Sequence, residues 1–384
     1  MKIHLSSLRP VGNAILSRKA PLNHAHFANL DIRFYQSGTA ALAAGLIATR
    51  SLHKNVTNTP EVILPAYACP DLISACIFAG VTPVLVDFEP DSCWMSLAQV
   101  ENVVTQNTIG IIAVRFLGIA ERMEQLQNIC DRHGLSLIED SAQGFPASHP
   151  ESYWQGDLAI LSFGRGKPVN LLGGGAILIR NSLLKKHMPS LKPGAETSQT
   201  GKLKYWSKIH AFNLLIRPLI YGIATQLPGL HIGETTYKTL AGLNTIQAQT
   251  LAYMNANITQ YQQQSRIANK IHQRLSASGL DDIIDLPERA GHDYMVPLLR
   301  YPLLIKNEAL RDKLFNALQR LGASTMYQKP LYQINGIPKQ YIKLQSNTTN
   351  AENFANRLLT LPTHSAVTEK TLEQIGNTFT RVLG

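Results

Sequence analysis

Lys167 stands in the run "LSFGRGKPVNLLGGGAIL" (161–178), between two apolar stretches and among glycines. Three kinds of chemistry place a lysine there. A nucleotide-phosphate loop needs a glycine, four residues, then Gly-Lys followed by Ser or Thr. Leu161 stands five before Gly166 and Pro168 follows the lysine, so both ends of that pattern fail. A Schiff-base lysine needs low solvation or nearby positive charge, and glycines that let a flat ring approach. A solvated turn lysine needs neither, so the companions decide. Asp140 ends "LIEDSAQG" 27 residues earlier, where a carboxylate can cap a helix, bind magnesium or face a protonated ring nitrogen. Ser37-Gly38-Thr39-Ala40 opens a helix whose first N–H groups and Thr39 hydroxyl form an anion site. Ser162, five before Lys167, adds a hydroxyl, and an aromatic, Tyr67, lies near an intervening strand end. Amine, acid, phosphate cradle and flat cover together meet the needs of pyridoxal 5′-phosphate, PLP.

The elements that must position these groups alternate. "EVILP", "TPVLVDFEP", "TIGIIAVRFLG", "LSLIED", "GDLAILSFG" and "GGAILIR" read as short apolar strands. Between most of them lie helical stretches, among them 38–50, 71–79 stopping at Gly80, 96–106, and 122–133 stopping at Gly134. This order predicts an α/β fold: a mostly parallel, doubly wound sheet with helices on both faces. Ligands in such sheets sit at the carboxyl ends of strands, where Gly38, Thr39, Tyr67, Asp140 and Lys167 fall. Residues 202–230 are apolar and basic with Pro218 inside, and predict one or two helices. Residues 240–278 predict one long helix, 294–306 a strand, and 308–322 and 368–383 helices. The chain therefore divides into a large domain, 1–240, carrying an insertion at 202–230, and a smaller α+β domain, 241–384.

Five blocks in this order resemble the DegT/DnrJ/EryC1/StrS family of sugar aminotransferases: "SGTAAL" (37–42), "GVTPVLVD" (80–87), "LIEDSAQG" (137–144), the Lys167 block and "LTLPTH" (359–364). The resemblance runs over roughly residues 33–384 and implies the PLP-dependent transferase fold type I. It implies that Lys167 carries the cofactor as a Schiff base and shuttles a proton, and that Asp140 keeps the pyridine nitrogen protonated. It places Gln143 by the ring face or 3-hydroxyl, and Gly38, Thr39, Ala40 and Ser162 around the phosphate. It implies an aromatic ring cover, for which Tyr67 is the expectation; Cys69 takes that place if the segment carries no insertion. A homodimer with shared sites is implied, and "TTYKTLAGLN" (235–244) makes Lys238 the expected contribution from the neighbour. With lysine at 167 rather than histidine, transamination is implied, from an amino acid such as glutamate to a nucleotide-linked keto-sugar. The family commonly follows the lysine with Asn and a later Asp-Gly-Gly; here Pro168 and Gly173-Gly174-Gly175 stand instead.

Four further residues are candidates for substrate contact: Arg115 and Arg165 near strand ends, Tyr327 in "STMYQKPL", and His364 in "LPTH". Each has a structural alternative, a salt bridge for Arg115 and solvent for Arg165. The formal charge is +10, yet no zinc-finger, aromatic RNA-binding motif or long Lys/Arg block accompanies it, so nucleic acid is not an expected partner. No metal is expected, because the four cysteines lack metal-ligand spacing; they read as reduced thiols of a cytoplasmic protein. No apolar run is long enough to span a membrane and no signal peptide is read at the N-terminus. The 202–230 segment reads as packing on its own domain or a dimer partner, with a membrane surface as the alternative.

Overall fold

Every strand of the expected α/β core between residues 31 and 179 is present in the computed structural model, which describes residues 6–56, 59–191, 199–226, 236–277, 281–344 and 348–383. In chain order the first part runs β1 (Asp31–Tyr35), α1 (Gly38–Leu52), β2 (Glu61–Pro65), α2 (Asp71–Ala79), β3 (Thr82–Val86), α3 (Leu97–Asn102), β4 (Thr108–Val114), α4 (Met123–His133) and β5 (Ser136–Asp140). Then come α5 (Pro150–Tyr153), β6 (Leu158–Ser162), β7 (Gly175–Ile179) and α6 (Ser182–His187). These strands form most of one sheet in the order β1-β7-β6-β5-β4-β2-β3, parallel from β6 to β3 and antiparallel at the β1-β7-β6 side. Strands β2 and β5 are buried at every residue. That is what a parallel sheet covered on both faces requires, and it explains why the middle of each strand is apolar, Val62–Leu64 in β2 and Leu137–Ile138 in β5.

Helix α1 follows from local signals. Ser37 is in extended backbone and its Oγ accepts the Ala40 N–H at 3.1 Å, a side-chain cap worth about 1 kcal/mol. The alanine-rich body of the helix then packs against the sheet with Ala40, Ala41, Ala43 and Ala44 fully buried. Helix α2 ends where Gly80 turns to φ 68°, with Arg50 Nη1 donating to the Ala79 carbonyl at 3.2 Å. A Cβ on Gly80 would meet that guanidinium at 2.5 Å.

The second part is α7 (Gln199–Leu215), α8 (Pro218–Ala224), α9 (Ala248–Leu251), α10 (Met254–Gln262), α11 (Ser265–Ser276), β8 (Ile283–Asp285), α12 (Leu286–Arg289), β9 (Arg300–Ile305), α13 (Glu308–Leu318), β10 (Lys343–Leu344), α14 (Thr349–Arg357), β11 (Leu358–Pro362) and α15 (Glu369–Leu383). Strands β11, β9 and β8 make a separate antiparallel sheet. β10 instead joins the large sheet beside β3, so this late segment crosses back over the expected division at residue 240.

The 202–230 stretch forms two helices broken before Pro218; residues 227–230 lie outside the described residues. The single long helix expected over 240–278 is not formed; residue 278 also lies outside the described residues. Gln36 is the reason for its late start. Its N–H donates to the Asn244 carbonyl at 3.0 Å and its side chain bonds the Asn244 N–H and the Gly242 carbonyl. Residues 242–244 are thereby held out of a helix, which begins only at Ala248. Farther on, the helix breaks between α9 and α10 and between α10 and α11. The strand expected over 294–306 is confined to Arg300–Ile305, after Pro297.

Candidate active site

Strand β5 places two adjacent acids on opposite faces, since side chains alternate along a strand. Asp140 lines a cleft at the carboxyl ends of β4, β5 and β6, while Glu139 faces away from it. The cleft is lined also by Gly38 and Thr39 of α1, Asp71 and Leu72 of α2, Cys69, Gln143, Ser162, Lys167 and Tyr327. Val114, Phe116, Ile160 and Leu42 give it an apolar wall.

Lys167 reaches the cleft from a closed excursion between β6 and β7. The Phe163 carbonyl accepts both the Leu171 N–H at 2.8 Å and the Gly173 N–H at 3.1 Å, closing the loop at its neck. Gly166, at φ 70°, makes the turn just before the lysine. The Lys167 side chain is half-buried. Asp140 is buried, and its Oδ1 accepts the Ala142 N–H at 3.0 Å. Burial pushes its carboxyl above the ordinary range, against the Ala142 hydrogen bond and the Lys167 charge, which pull it down. Asp140 therefore favours a cationic or proton-bearing partner in the cleft.

At the other end, the amino terminus of α1 meets Ser162. A Cβ on Gly38 would fall 2.7 Å from the Ser162 Cβ, so only glycine allows this approach. A Cβ on Gly175 would fall 2.5 Å from the Ser37 carbonyl, so β7 too lies tight against the start of the helix. Helix end, Thr39 hydroxyl and Ser162 hydroxyl make a cradle for an anion. One feature works against it: Thr39 Oγ1 donates to Asp71 Oδ2 at 3.0 Å, so a carboxylate already stands beside the cradle. The donor set still fits PLP, with an amine, a buried acid and a hydroxyl-lined helix end around one cleft.

Several expected residues fall elsewhere. Tyr67 lines no part of the cleft. It is fully buried, donates to the Tyr327 carbonyl at 2.8 Å and packs edge-on against Phe354 at 5.0 Å. Cys69, two residues on, lines the cleft where Tyr67 does not. Ala40 is buried with its N–H committed to Ser37, leaving Gly38 and Thr39 as the α1 residues at the cleft. Arg115 belongs to the far face: it pairs with Glu139 at 2.7 Å, donates to the Tyr153 carbonyl and stacks 4.0 Å from the Tyr153 ring. Arg165 is exposed and outside the cleft lining, as is Lys238; Thr235 of the same block lies outside the described residues. His364 is buried against the Arg9 carbonyl, Nε2 to O 2.8 Å, away from the cleft.

Tyr327 and Gln143 come together in the cleft, Gln143 Nε2 donating to the Tyr327 hydroxyl at 3.1 Å. Asp71 was not singled out from sequence. An acid in the first turn of a helix reads as an ordinary dipole contact, and only the packing of α1 beside α2 turns it toward Thr39. The apolar wall had no signal beyond ordinary core positions.

Comparison with known proteins follows the same lines. The family model described as the DegT/DnrJ/EryC1/StrS aminotransferase family matches residues 34–380. GDP-perosamine synthase of Vibrio cholerae is 27% identical over 179 residues, 46% of this chain and 47% of that protein. L-glutamine:2-deoxy-scyllo-inosose aminotransferase of Streptoalloteichus tenebrarius is 31% identical over 158 residues, 41% of this chain and 36% of that protein. The chain thus spans about half or less of the length of these relatives. The solved structure of Helicobacter pylori PseC, an aminotransferase involved in the biosynthesis of pseudoaminic acid, superposes with a TM-score of 0.68 at 16% identity, covering 100% of this chain and 99% of that one, which establishes the fold. With the family model matched across nearly all of its length and the fold shared along the whole chain, the protein belongs to the DegT/DnrJ/EryC1/StrS aminotransferase family, whose members depend on PLP.

Proposed function

We propose that the chain is a PLP-dependent aminotransferase that takes an amino group from an amino acid, glutamate first, and gives it to a ketone on a nucleotide-linked sugar. The observation that carries this is the meeting of Lys167 and Asp140 in one cleft that ends at the amino terminus of α1. The names of the relatives support the sugar acceptor. When bound, PLP supplies an electron-withdrawing ring and a carbonyl that condenses with amines.

The chain's own groups would work as follows. Asp140, oriented by the Ala142 N–H, presents its carboxylate to the ring nitrogen and keeps a proton there. The Lys167 amine, half-buried and supplied by a short loop, would take the proton from the substrate Cα and deliver it to the cofactor C4′. Thr39, Ser162 and the end of α1 hold the phosphate. The wall of Val114, Phe116 and Ile160 lowers the local dielectric, which strengthens the pull of Asp140 on that proton. Gln143 and Tyr327 hold the cleft side toward Cys69. A cytoplasmic homodimer, with Lys238 reaching a neighbour's phosphate, completes the reading.

The test is a two-stage assay on the PLP-loaded protein. Glutamate should yield 2-oxoglutarate in one stoichiometric turnover, and a panel of nucleotide-linked keto-sugars should then restore the starting form. Restoration only by free ketones or free keto-acids, with no nucleotide-linked sugar active, would overturn the acceptor assignment.

A further inference from the structure

Residues 7–16 form neither helix nor strand, yet they are tied down along their length. The Ser7 N–H donates to the Pro218 carbonyl at 3.0 Å and the Leu8 N–H to the Arg320 carbonyl at 2.8 Å. At the far end, Ile15 exchanges two backbone hydrogen bonds with the Asn213 amide, at 2.8 and 2.9 Å. Between these ties, two adjacent residues beyond β11 grip the strap. His364 Nε2 meets the Arg9 carbonyl, and Asn13 Oδ1 accepts the Ser365 N–H at 3.1 Å and the Ser365 hydroxyl at 3.0 Å.

The apex between the two grips is Val11–Gly12, and it lies against the turn that carries Lys167. Gly12 has φ 91°, and a Cβ there would lie 3.7 Å from the Gly166 Cα. A Cβ on Gly166 would lie 3.0 Å from Val11 Cγ1. Gly166 immediately precedes the lysine, so the turn rests on Val11. Arg9 in turn holds the apex. Its Nε donates to the Gly12 carbonyl at 2.5 Å and its Nη1 to the Ile216 carbonyl at 3.3 Å. The Arg9 guanidinium is buried, burial pushes its pKa down to about 10, and no carboxylate lies beside it among the described residues. A buried cation without a counter-charge is a poor source of stability. What its rigid fork does supply is geometry, one group joined to carbonyls of two separate segments.

We propose that Arg9 and Val11 are positioning residues for Lys167: Arg9 fixes the Val11–Gly12 apex, and the apex fixes the turn that presents the lysine amine to the cleft. The inference rests on the reading of Lys167 as the residue that moves the proton.

Two measurements test it. In the cofactor-free full chain, hydrogen–deuterium exchange with mass spectrometry follows peptides spanning 163–173. Val11→Ala and Arg9→Lys should each speed exchange there about fivefold or more, with peptides of β4 and β5 unchanged. Val11→Ile keeps both γ carbons and should exchange like the native chain. In the PLP-loaded protein, the single-turnover rate at saturating glutamate should fall about tenfold in Val11→Ala. The half-saturating glutamate concentration should change less than about twofold, because the lysine shifts and the substrate contacts do not. A merely structural role would lower the thermal midpoint and leave both the local exchange and the turnover rate in place. Unchanged exchange at 163–173 would overturn the inference, and so would faster exchange with the turnover rate unchanged. If the native chain forms no PLP adduct on Lys167, the reading of the site falls, while the exchange data still decide whether the strap holds the turn.

Discussion

Gln143 donates its Nε2 to the Tyr327 hydroxyl at 3.1 Å while its Oε1 accepts the Leu117 N–H at 2.9 Å. The backbone donor fixes which way the amide points, so its NH₂ must face the tyrosine. One buried amide thus ties the turn after β5 to the end of β4 and to a segment far along the chain.

Tyr327→Phe keeps the ring and strands that amide N–H. The net loss is about 1 kcal/mol, more if no water replaces the hydroxyl. The thermal midpoint should fall by a few degrees, with PLP still bound. An unchanged midpoint would show that the hydrogen bond contributes nothing to the fold.

Asp71 holds Thr39 beside the anion cradle. A carboxylate there repels a phosphate that the helix end attracts. Asp71→Asn keeps an acceptor for Thr39 and removes the charge, so PLP should bind several-fold more tightly in equilibrium dialysis, about 1 kcal/mol. Weaker binding would mean that the carboxylate serves the cofactor.

His364 donates its Nε2–H to the Arg9 carbonyl, and its Nδ1 accepts the Ala366 N–H at 3.3 Å. Both partners are satisfied only by the neutral ring. Burial, aided by the Arg9 charge, lowers its pKa from 6.5 to about 3. Below about pH 6.5 the unfolded chain therefore takes up a proton that the folded chain refuses. This contribution is harmless above that pH and erodes stability progressively down to about pH 3. His364→Gln can keep the bond to the Arg9 carbonyl through its amide N–H without a titrating group, so its unfolding midpoint in urea should decline less between pH 6 and 4. Parallel decline of the two proteins would contradict the account.

Cys69 lines the cleft, yet burial first and then the Asp71 charge raise its thiol to about 11, against the opposing Lys167 charge. It should be almost wholly protonated at neutral pH and alkylate slowly. Iodoacetamide footprinting with mass spectrometry should show Cys69 labelling slower than a free thiol at pH 7 and speeding up toward pH 10. Fast labelling at pH 7 would require a stabilised thiolate.

From β2 to β7 the fold was legible because the strands are short, largely apolar runs and several helices stop at glycines such as Gly80 and Gly134. The long helix starts late for a non-local reason: Gln36, more than 200 residues earlier, ties up the backbone of Gly242 and Asn244. In the site, Asp140, Thr39, Ser162 and Lys167 were reachable because each sits just beyond or at a strand end. Tyr67 was misplaced because nothing in "PAYACP" says which residue meets the cleft once the strand has ended. Arg115 was decidable in principle, since Glu139 and Asp140 alternate on β5 and the arginine follows the outward acid. The partner of His364 was not, because Arg9 lies 355 residues away.

The central claim is that Lys167 carries PLP. Purified protein reconstituted with PLP should show a visible absorption band that borohydride removes, and peptide mass spectrometry should then place a pyridoxyl group on Lys167 alone. Lys167→Ala should lack both the band and the adduct. A band with the adduct on another lysine, or PLP that dialyses away without any adduct, would contradict the account.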